Sequence, residues 1–204
     1  MTVSPSVAPL RETFGGAIER HLVSCGDTIV YVARARIHEA LAWLKVTPEQ
    51  DYNYLTDVTA VEYRDPERPL EVVWQLRSLG RRADLRLKVA LDKRAPLEVP
   101  TATDLWRGAD WLEREVFDMF GITFTGHPDL RRILMWETYA EGFPLRKDFP
   151  LRGHFSRAEQ TRQALAANPE AQYSLEELSI AETFHELPKD MRERLQRGER
   201  GFIT

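Results

Sequence analysis

The sequence predicts an α+β fold: a mixed or antiparallel sheet of four or more strands with helices on one face, followed by an extended C-terminal arm. Apolar and charged residues alternate with period two over 70–77 and 84–92, which predicts strands with one covered and one solvated face. Apolar spacings of three and four over 10–22 and 35–45 predict helices that cover the sheet. The proline- and glycine-rich residues 126–155, here called the C-terminal arm, favour neither element.

The residues before this arm are predicted to form one domain behind a short leader. Residues 1–9 are small and polar and include two prolines, so we expect a flexible leader, with the α+β domain spanning residues 10–125. The β-rich run 28–33 and the run 54–63 complete a set of four predicted strands. Helices and strands in this order predict a sheet with helices packed on one side.

One helix, or two short ones, is predicted at the end of the domain over residues 101–120. Thr103 is a suitable N-cap, and Gly121 stands where a glycine commonly ends a helix. Residues 47–48, a threonine followed by a proline, are typical of the start of another helix.

The C-terminal arm combines its prolines with many apolar and aromatic side chains. A structureless stretch of this length is uncommon inside a compact domain, so we expect it to lie on a surface of its own domain or of another chain. The polar residues 156–204 are predicted to form a partly helical tail, with helical spacing at 157–167 and 174–186.

Composition argues against several classes of function. The 204 residues carry a net charge of −4, which argues against a protein whose main partner is nucleic acid. The single cysteine, Cys25, cannot form an intrachain disulfide, a CxxC pair or a Cys-ligated iron–sulfur cluster. No run approaches the roughly 18 apolar residues of a membrane-spanning helix. Residues 1–9 also lack the features of a signal peptide.

Two charged clusters are candidates for chemistry of the chain's own. Glu115 and Asp118 are three residues apart, so a helix places both on one face, and with His127 they form a candidate metal or acid–base site. The competing interpretation is ion pairing with nearby arginines, because the sequence has no HExxH motif. Residues 81–94 hold six basic and two acidic side chains, which indicates either a patch that contacts RNA or anionic headgroups or a solvated strand face, and we favour the strand face.

A third charged cluster lies in the C-terminal arm. Pro144 and Pro150 are expected to hold the backbone extended. Arg146, Lys147 and Arg152 are able to clamp a phosphate or to pair with carboxylates of a partner protein. The glycines here are isolated and open no helix, which favours the partner. The residues alone therefore favour a scaffold or subunit over an independent enzyme.

Two sequence blocks resemble a known family. Residues 111–134 resemble, almost letter for letter, the signature of the C-type, or 30-kilodalton-type, subunit of respiratory complex I, the proton-pumping NADH:quinone oxidoreductase. The family's second block is present from Pro144 to Pro150, although Phe143 stands where the family often has histidine. The matching positions are Glu113, Arg114, Glu115, Asp118, Gly121, Gly126, His127, Pro128, Leu130, Arg131, Arg132, Pro144, Leu145, Arg146, Lys147, Asp148 and Pro150.

The resemblance implies a structural subunit of the hydrophilic arm of the complex, with no catalytic residue, cofactor or metal of its own. It implies docking against the hydrogenase-like D-type subunit and near the cluster-carrying B-type subunit, in a complex that uses FMN, iron–sulfur clusters, NADH and quinone. The implied location is the cytoplasmic face of the bacterial inner membrane, and the isolated chain is expected to be inactive. The alternative is the equivalent subunit of a related membrane-bound hydrogenase or ferredoxin-fed quinone reductase.

The resemblance also implies roles for the motif residues. Four apolar side chains are expected to bury the helix on the sheet, namely Trp111, Val116, Met119 and Phe120. Four charged side chains are expected to pair with the Arg131–Arg132 dipeptide or with the partner, namely Glu113, Arg114, Glu115 and Asp118. The segments from His127 to Arg132 and from Pro144 to Pro150 are expected to lie against the hydrogenase-like subunit.

Overall fold

The computed structural model describes residues 3–65 and 69–167, and the chain divides into two units between Phe155 and Ser156. The helices of the first unit are α1 (Val7–Phe14), α2 (Ile37–Val46) and α3 (Ala109–Phe120). Its strands are β1 (Ile18–Ser24), β2 (Asp27–Val32), β3 (Tyr54–Val61), β4 (Leu70–Ser78), β5 (Ala83–Leu91), β6 (Glu98–Pro100) and β7 (Thr123–Thr125). The second unit contains α4 (Arg157–Ala167), where a helix was predicted, and the helix predicted over 174–186 lies outside the described residues.

Five strands form a mixed sheet in the order β1–β2–β5–β4–β3, which confirms the predicted α+β class. Strands β3, β4 and β5 form an antiparallel meander, and β1 and β2 form an antiparallel hairpin. The hairpin joins the meander through a parallel pairing of β2 with β5. A parallel pairing needs a crossover connection, and α2 lies in the segment that supplies it.

The helices cover one face of this sheet. Alternate residues of the meander, such as Trp74 and Leu87, are fully buried in one core cluster with Leu10 of α1, Leu41 of α2 and Val116 of α3. The apolar residues recur every second position in the strands and every three to four positions in the helices. Both patterns therefore place apolar side chains in the core between the sheet and the helices, as the sequence predicts.

The N-terminal segment differs from its prediction. The expected helix over 10–22 ends at Phe14, and the following residues form a 3₁₀ turn and then β1. Gly15 interrupts the helix, because its φ of 53° lies in the left-handed region. The predicted leader is also shorter than nine residues, since α1 begins at Val7 and the buried hydroxyl of Ser6 lies 2.9 Å from that of Tyr52.

The sheet face opposite the helices is less solvated than the alternation predicts. Lys88 of β5 is only 8% exposed, and its Nζ lies 2.7 Å from the carboxylate of Glu71, which is 1% exposed. The hydroxyls of Tyr31 and Tyr63 donate to the same carboxylate. An ion pair is therefore buried on the sheet face that the sequence predicts to be polar and solvated.

Helix α3 connects the short parallel strands β6 and β7 and packs against β3. It begins after Gly108, so residues 103–108 form turns and Thr103 is not its N-cap. Residues 47–50 also form a turn, in which the amide of Gln50 donates to the carbonyl of Thr47, and no helix starts there. Within the described ranges, no helix combines the length and the apolar character needed to cross a membrane.

Candidate functional site

Helix α3 carries the first motif block and presents it to the C-terminal arm. Val116, Met119 and Phe120 are buried as predicted. Trp111 is 68% exposed, so its predicted packing on the sheet is wrong. It lies two residues before the buried Glu113, about 200° around the helix from it, and therefore faces solvent.

Asp118 is the residue through which α3 holds the C-terminal arm. It is fully buried, and its Oδ1 accepts a hydrogen bond from Nη1 of Arg132 at 2.5 Å. Its Oδ2 accepts hydrogen bonds from the amides of Ile133, Leu134 and Met135 at 3.1, 2.8 and 2.8 Å. Four donors from the arm therefore converge on one carboxylate.

Asp118 is held in its charged form. Burial on its own would raise the pKa of this carboxyl, because a dry environment disfavours the charge. The hydrogen bonds from the amide of Met135, from Arg132 and from the amides of Leu134 and Ile133 outweigh burial, and the pKa lies below its ordinary value. The predicted pairing of Asp118 with Arg132 is present, and at neutral pH it joins two full charges.

Arg132 extends this anchor into the arm. Its Nη2 donates to the carbonyl of Gly142 at 3.2 Å. Its guanidinium lies 5.2 Å from the ring centroid of Tyr139 and 5.4 Å from that of Phe143, within the range of cation–π attraction. One arginine thus links helix α3 to two segments of the arm that lie about ten residues apart.

Glu113 has partners that differ from the predicted arginines. It is fully buried and accepts hydrogen bonds from the hydroxyl of Thr101 at 2.5 Å and from the amide of Ala102 at 2.7 Å. Burial raises its pKa to about 7 against the effect of these two donors, and the carboxylates of Asp104 and Asp110 add to the rise. Glu113 therefore fixes the loop before α3 rather than the arm.

The remaining charged motif residues of α3 and the arm pair in other ways. Arg114 donates to the backbone carbonyls of Arg131 and Arg132, so it binds the arm without a carboxylate. Arg131 pairs with Asp129 at 2.8 Å on the surface. Glu115 is exposed. Of the four charged residues of α3, Asp118 and Arg114 thus contact the two arginines and Glu113 does not, while pairing of the exposed Glu115 with a partner stays a prediction.

The second motif block packs on the C-terminal end of α3. The amide of Leu145 donates to the carbonyl of Met119 at 3.1 Å. Gly121 ends the helix with a φ of 75°, and a Cβ on this glycine would lie 2.4 Å from the ring of Phe143. Glycine is therefore required here both for the backbone conformation and for the close approach of the aromatic ring.

Glu62, which follows β3, is a second anchor that the sequence does not reveal. Its side chain is 5% exposed and lies 3.2 Å from Nε of Arg146 and 3.4 Å from Nζ of Lys93. It also accepts a hydrogen bond from the amide of Lys147 at 2.8 Å. Arg146 in addition donates to the carbonyl of Phe120 at 3.4 Å. Arg146 is thus paired with a buried carboxylate of its own domain, and contact of this block with a partner stays a prediction.

The arm folds through turns. Residues 126–155 contain neither helix nor strand in the structure, as predicted, but the second block is not straight. Turns close from Phe143 to Arg146, from Arg146 to Phe149 and from Pro150 to Gly153. Pro144 occupies the second position of the first turn, where its fixed φ is favourable.

A buried carboxylate closes the end of the arm. Glu141, which is 9% exposed, accepts hydrogen bonds from the amide of His154 at 2.6 Å and from that of Phe155 at 3.1 Å. Residues 141 and 155 are thereby held together, so the second block forms a closed loop rather than a free strand of chain.

Other motif residues lie toward the outside of the arm. Gly126 has a φ of 87° at the turn that leads into it. Leu130 is partly buried against the core, whereas Pro128 is exposed. Asp148 has 79% of its side chain exposed, and Pro150 is half-buried.

Glu115, Asp118 and His127 do not share a site. Nδ1 of His127 accepts a hydrogen bond from the amide of Asp129, and its Nε2 donates to the carbonyl of Asp110. Asp118 is taken by the arm and Glu115 faces solvent. Within the part of the chain that the structure describes, no three His, Cys, Asp or Glu side chains are grouped to hold a metal ion. The candidate metal or acid–base site is therefore not assembled.

The basic residues over 81–94 are largely engaged within the domain. Four of the six have acceptors there: Arg81 with Gln50, Arg86 with Asp27, Lys88 with Glu71 and Lys93 with Glu62. These contacts favour the strand-face interpretation over an RNA-binding patch.

A family of known proteins matches more than half of the chain. The family described as "Respiratory-chain NADH dehydrogenase, 30 Kd subunit" matches residues 30–155, which is 126 of the 204 residues. The chain belongs to this family. The family that the two sequence blocks indicate is thereby confirmed, and both blocks of this 30-kDa-family chain lie inside the matched residues, as does Glu62.

Individual relatives of the 30-kDa-family chain extend this match. The C-type subunit numbered "C 2" of the NADH-quinone oxidoreductase of Rhizobium etli (strain CIAT 652) is 48% identical over 157 residues, which cover 76% of this chain and 82% of the relative. The "C/D" subunit of the NADH-quinone oxidoreductase of Nitrosospira multiformis is 42% identical over 155 residues, which cover 69% of this chain and 25% of that longer protein.

A solved structure is similar to part of the 30-kDa-family chain. It is the trypsin-resistant fragment 1–134 of Nqo5, with 31% sequence identity and a TM-score of 0.51. The match covers 61% of this chain and 96% of the fragment.

Proposed function

We propose that this 30-kDa-family chain is a non-catalytic structural subunit of the hydrophilic arm of a proton-translocating NADH:quinone oxidoreductase. The observation that carries the proposal is an arm fixed to its own domain by buried charges while four of its apolar side chains remain exposed. The exposed apolar residues of the arm are Leu134, Leu145, Leu151 and Phe155. Apolar side chains displayed on an ordered segment are typical of a protein–protein interface.

We propose the hydrogenase-like D-type subunit as the main partner of the C-terminal arm, with the cluster-carrying B-type subunit nearby. The Nitrosospira relative supports this pairing, because its name joins the C and D types in one protein. A covalent link gives two modules a high effective concentration, which suits parts that work in contact. The exposed motif residues of the arm, namely Pro128, Arg131, Lys147 and Asp148, are the proposed contacts.

The same proposal covers the chain's chemistry and location. The isolated chain has no activity of its own, and FMN, iron–sulfur clusters, NADH and quinone are bound by other subunits. The chain is held peripherally at the cytoplasmic face of the inner membrane through its partners. Within it, the α+β domain runs from α1 to residue 125, residues 126–155 form the docking arm and residues 156–204 form a tail that adds contacts. The inward use of Asp118 and His127 supports a structural rather than a catalytic role.

The test changes the outward face of the arm without touching its anchors. The variant Leu145→Asp with Leu151→Asp is expressed with a tag in a strain that lacks the natural chain, and the co-purifying hydrogenase-like subunit is measured. We expect at least a tenfold loss of that subunit, with the unfolding of the isolated variant unchanged. The control is Leu79→Asp, a leucine in the β4–β5 connection that is 59% exposed. Equal recovery from both variants would contradict the proposal.

A further inference from the structure

The second motif block borders a groove of about 690 Å³ that the anchors leave open. We call it the basic groove. Its main lining residues are Arg64, Leu145, Arg146, Lys147, Phe149 and Leu151. It lies on the side of the block where two of the exposed leucines of the arm are found.

The charged side chains that are described in the lining of the basic groove are all positive. None of the described residues that line it is acidic. Arg146 is balanced by the buried Glu62. Arg64 and Lys147 are exposed, and within residues 3–65 and 69–167 their side chains form neither an ion pair nor a hydrogen bond. Two positive charges therefore stand beside apolar surface without a direct ion-pair partner in the described structure.

The apolar part of the groove is equally open. Leu145 is 49% exposed, and Leu151 has its whole side chain in solvent. Because the turns and the Glu141 contacts hold both leucines on a closed loop, little conformational freedom remains to be lost when a partner binds. The groove is a prearranged surface that combines exposed apolar side chains with cations.

From this arrangement we propose that the basic groove receives an acidic segment of a partner subunit, in which carboxylates flank an apolar side chain. The carboxylates pair with Arg64 and Lys147, and the apolar side chain packs on Leu145 and Leu151. This proposal rests on the proposed function, since it specifies the chemistry of one partner segment at the same arm. Charge complementarity of this kind sets the register and rate of association more than its affinity.

Other anionic partners fit the groove less well. A phosphate site is normally built from converging free backbone amides. The amides of Leu145, Lys147 and Phe149 already donate to acceptors of the chain itself. Single-stranded nucleic acid binds by stacking on aromatic faces. The aromatic residue among the described lining, Phe149, already meets the ring of His154 edge to face at 5.3 Å.

The test uses the assembled complex. Arg64→Glu with Lys147→Glu reverses the two free charges, and the matched control Arg11→Glu with Arg94→Glu reverses two exposed cations elsewhere. We expect at least tenfold less of the first variant in the assembled complex and wild-type assembly of the control. Assembly of both variants at the wild-type level would overturn the groove proposal while leaving the proposed function standing, because the wild type still assembles.

A second measurement identifies what occupies the groove. A photo-crosslinking benzophenone amino acid is placed at Leu151 in the full chain, and the crosslinked peptide from the purified complex is sequenced by mass spectrometry. We expect a peptide of another subunit with at least two Asp or Glu residues near the crosslinked position. A peptide without acidic residues, a nuclease-sensitive adduct or a phospholipid adduct would overturn the proposal. If the tagged wild-type chain co-purifies with no other subunit, the proposed function itself fails.

Discussion

The carboxylate of Asp118 and the guanidinium of Arg132 meet at 2.5 Å, with 0% and 14% of their side chains exposed. Three consecutive amides of the chain share this carboxylate. The pair therefore fixes not only one side chain but also the path of residues 133–135 along helix α3. The position of everything that follows in the arm depends on it.

Asp118→Asn is expected to release this segment. It keeps the size of the side chain but removes the charge that balances Arg132, and breaking such a buried pair costs roughly 3–5 kcal/mol. Urea unfolding of the isolated chain measures the loss, and hydrogen exchange reports faster exchange at the amides of residues 133–135. The control Asp129→Asn breaks a solvent-exposed pair with Arg131 and should leave the unfolding free energy almost unchanged. Equal effects would argue against the anchor.

Glu113→Gln is expected to change how stability depends on pH. The pKa of Glu113 rises from 4.5 to about 7 on folding, so the folded chain keeps a proton that the unfolded chain loses between these values. Stability therefore falls as pH rises across that window, and this contribution reaches about 3 kcal/mol. The variant should be more stable than the wild type above pH 7 and lose the advantage toward pH 4.5.

The control for this titration is Glu115→Gln, an exposed carboxylate on the same helix. Urea unfolding at several pH values compares each variant with the wild type, which cancels the opposite trend of Asp118. A difference between Glu113→Gln and the wild type that does not vary with pH would show that Glu113 does not hold a proton in the folded chain.

Gly121→Ala is expected to separate helix α3 from the second block. The new methyl group would lie 2.4 Å from the ring of Phe143, in addition to the strain of a φ of 75°. Gly26→Ala isolates the backbone effect, because Gly26 has a φ of 94° and nothing within 4 Å of the added carbon. We expect a loss of about 1 kcal/mol for Gly26→Ala and about 1–3 kcal/mol more for Gly121→Ala. Thermal or urea unfolding measures both losses of stability. Equal losses for the two variants would mean that the ring of Phe143 moves aside freely.

Arg146→Ala is expected to lower the amount of assembled complex. The complex that still assembles should keep the wild-type KM for quinone. The substitution leaves the buried Glu62 with Lys93 and one amide, and so loosens the block that carries the docking surface. Native gels and quinone titrations of the purified complex measure the two quantities. Arg94→Ala, an exposed arginine, serves as the control. A normal yield with a raised KM would contradict the structural role.

The parts of the fold that the sequence predicts well are those set by local pattern. The meander strands follow from alternation, because Leu85, Leu87 and Val89 all face the same core. The N-terminal helix is overextended in the prediction, because Ile18 and Leu22 also fit a helical spacing and the hairpin pairing with β2 decides their conformation. Tertiary pairing overrides local propensity at such positions.

The sequence allows one of the two anchors of the arm to be predicted, but not the other. Asp118 and Arg132 stand within one recognisable block, so their pairing is visible from the sequence. Glu62 is 85 residues from Lys147, and nothing around it distinguishes it from any acidic residue after a strand. Trp111 shows the converse, since an aromatic residue beside an apolar stripe suggests burial although its angle on the helix directs it to solvent.

We infer that the chain works as a structural subunit of a larger oxidoreductase. Tagged purification of the wild-type chain from a mild-detergent membrane extract tests this inference, with mass spectrometry of the co-eluting proteins and an NADH:quinone assay. We expect a hydrogenase-like subunit, a cluster-carrying subunit and NADH oxidation in the eluate, and no NADH oxidation by the isolated chain. A chain that elutes alone from the soluble fraction would contradict the inference.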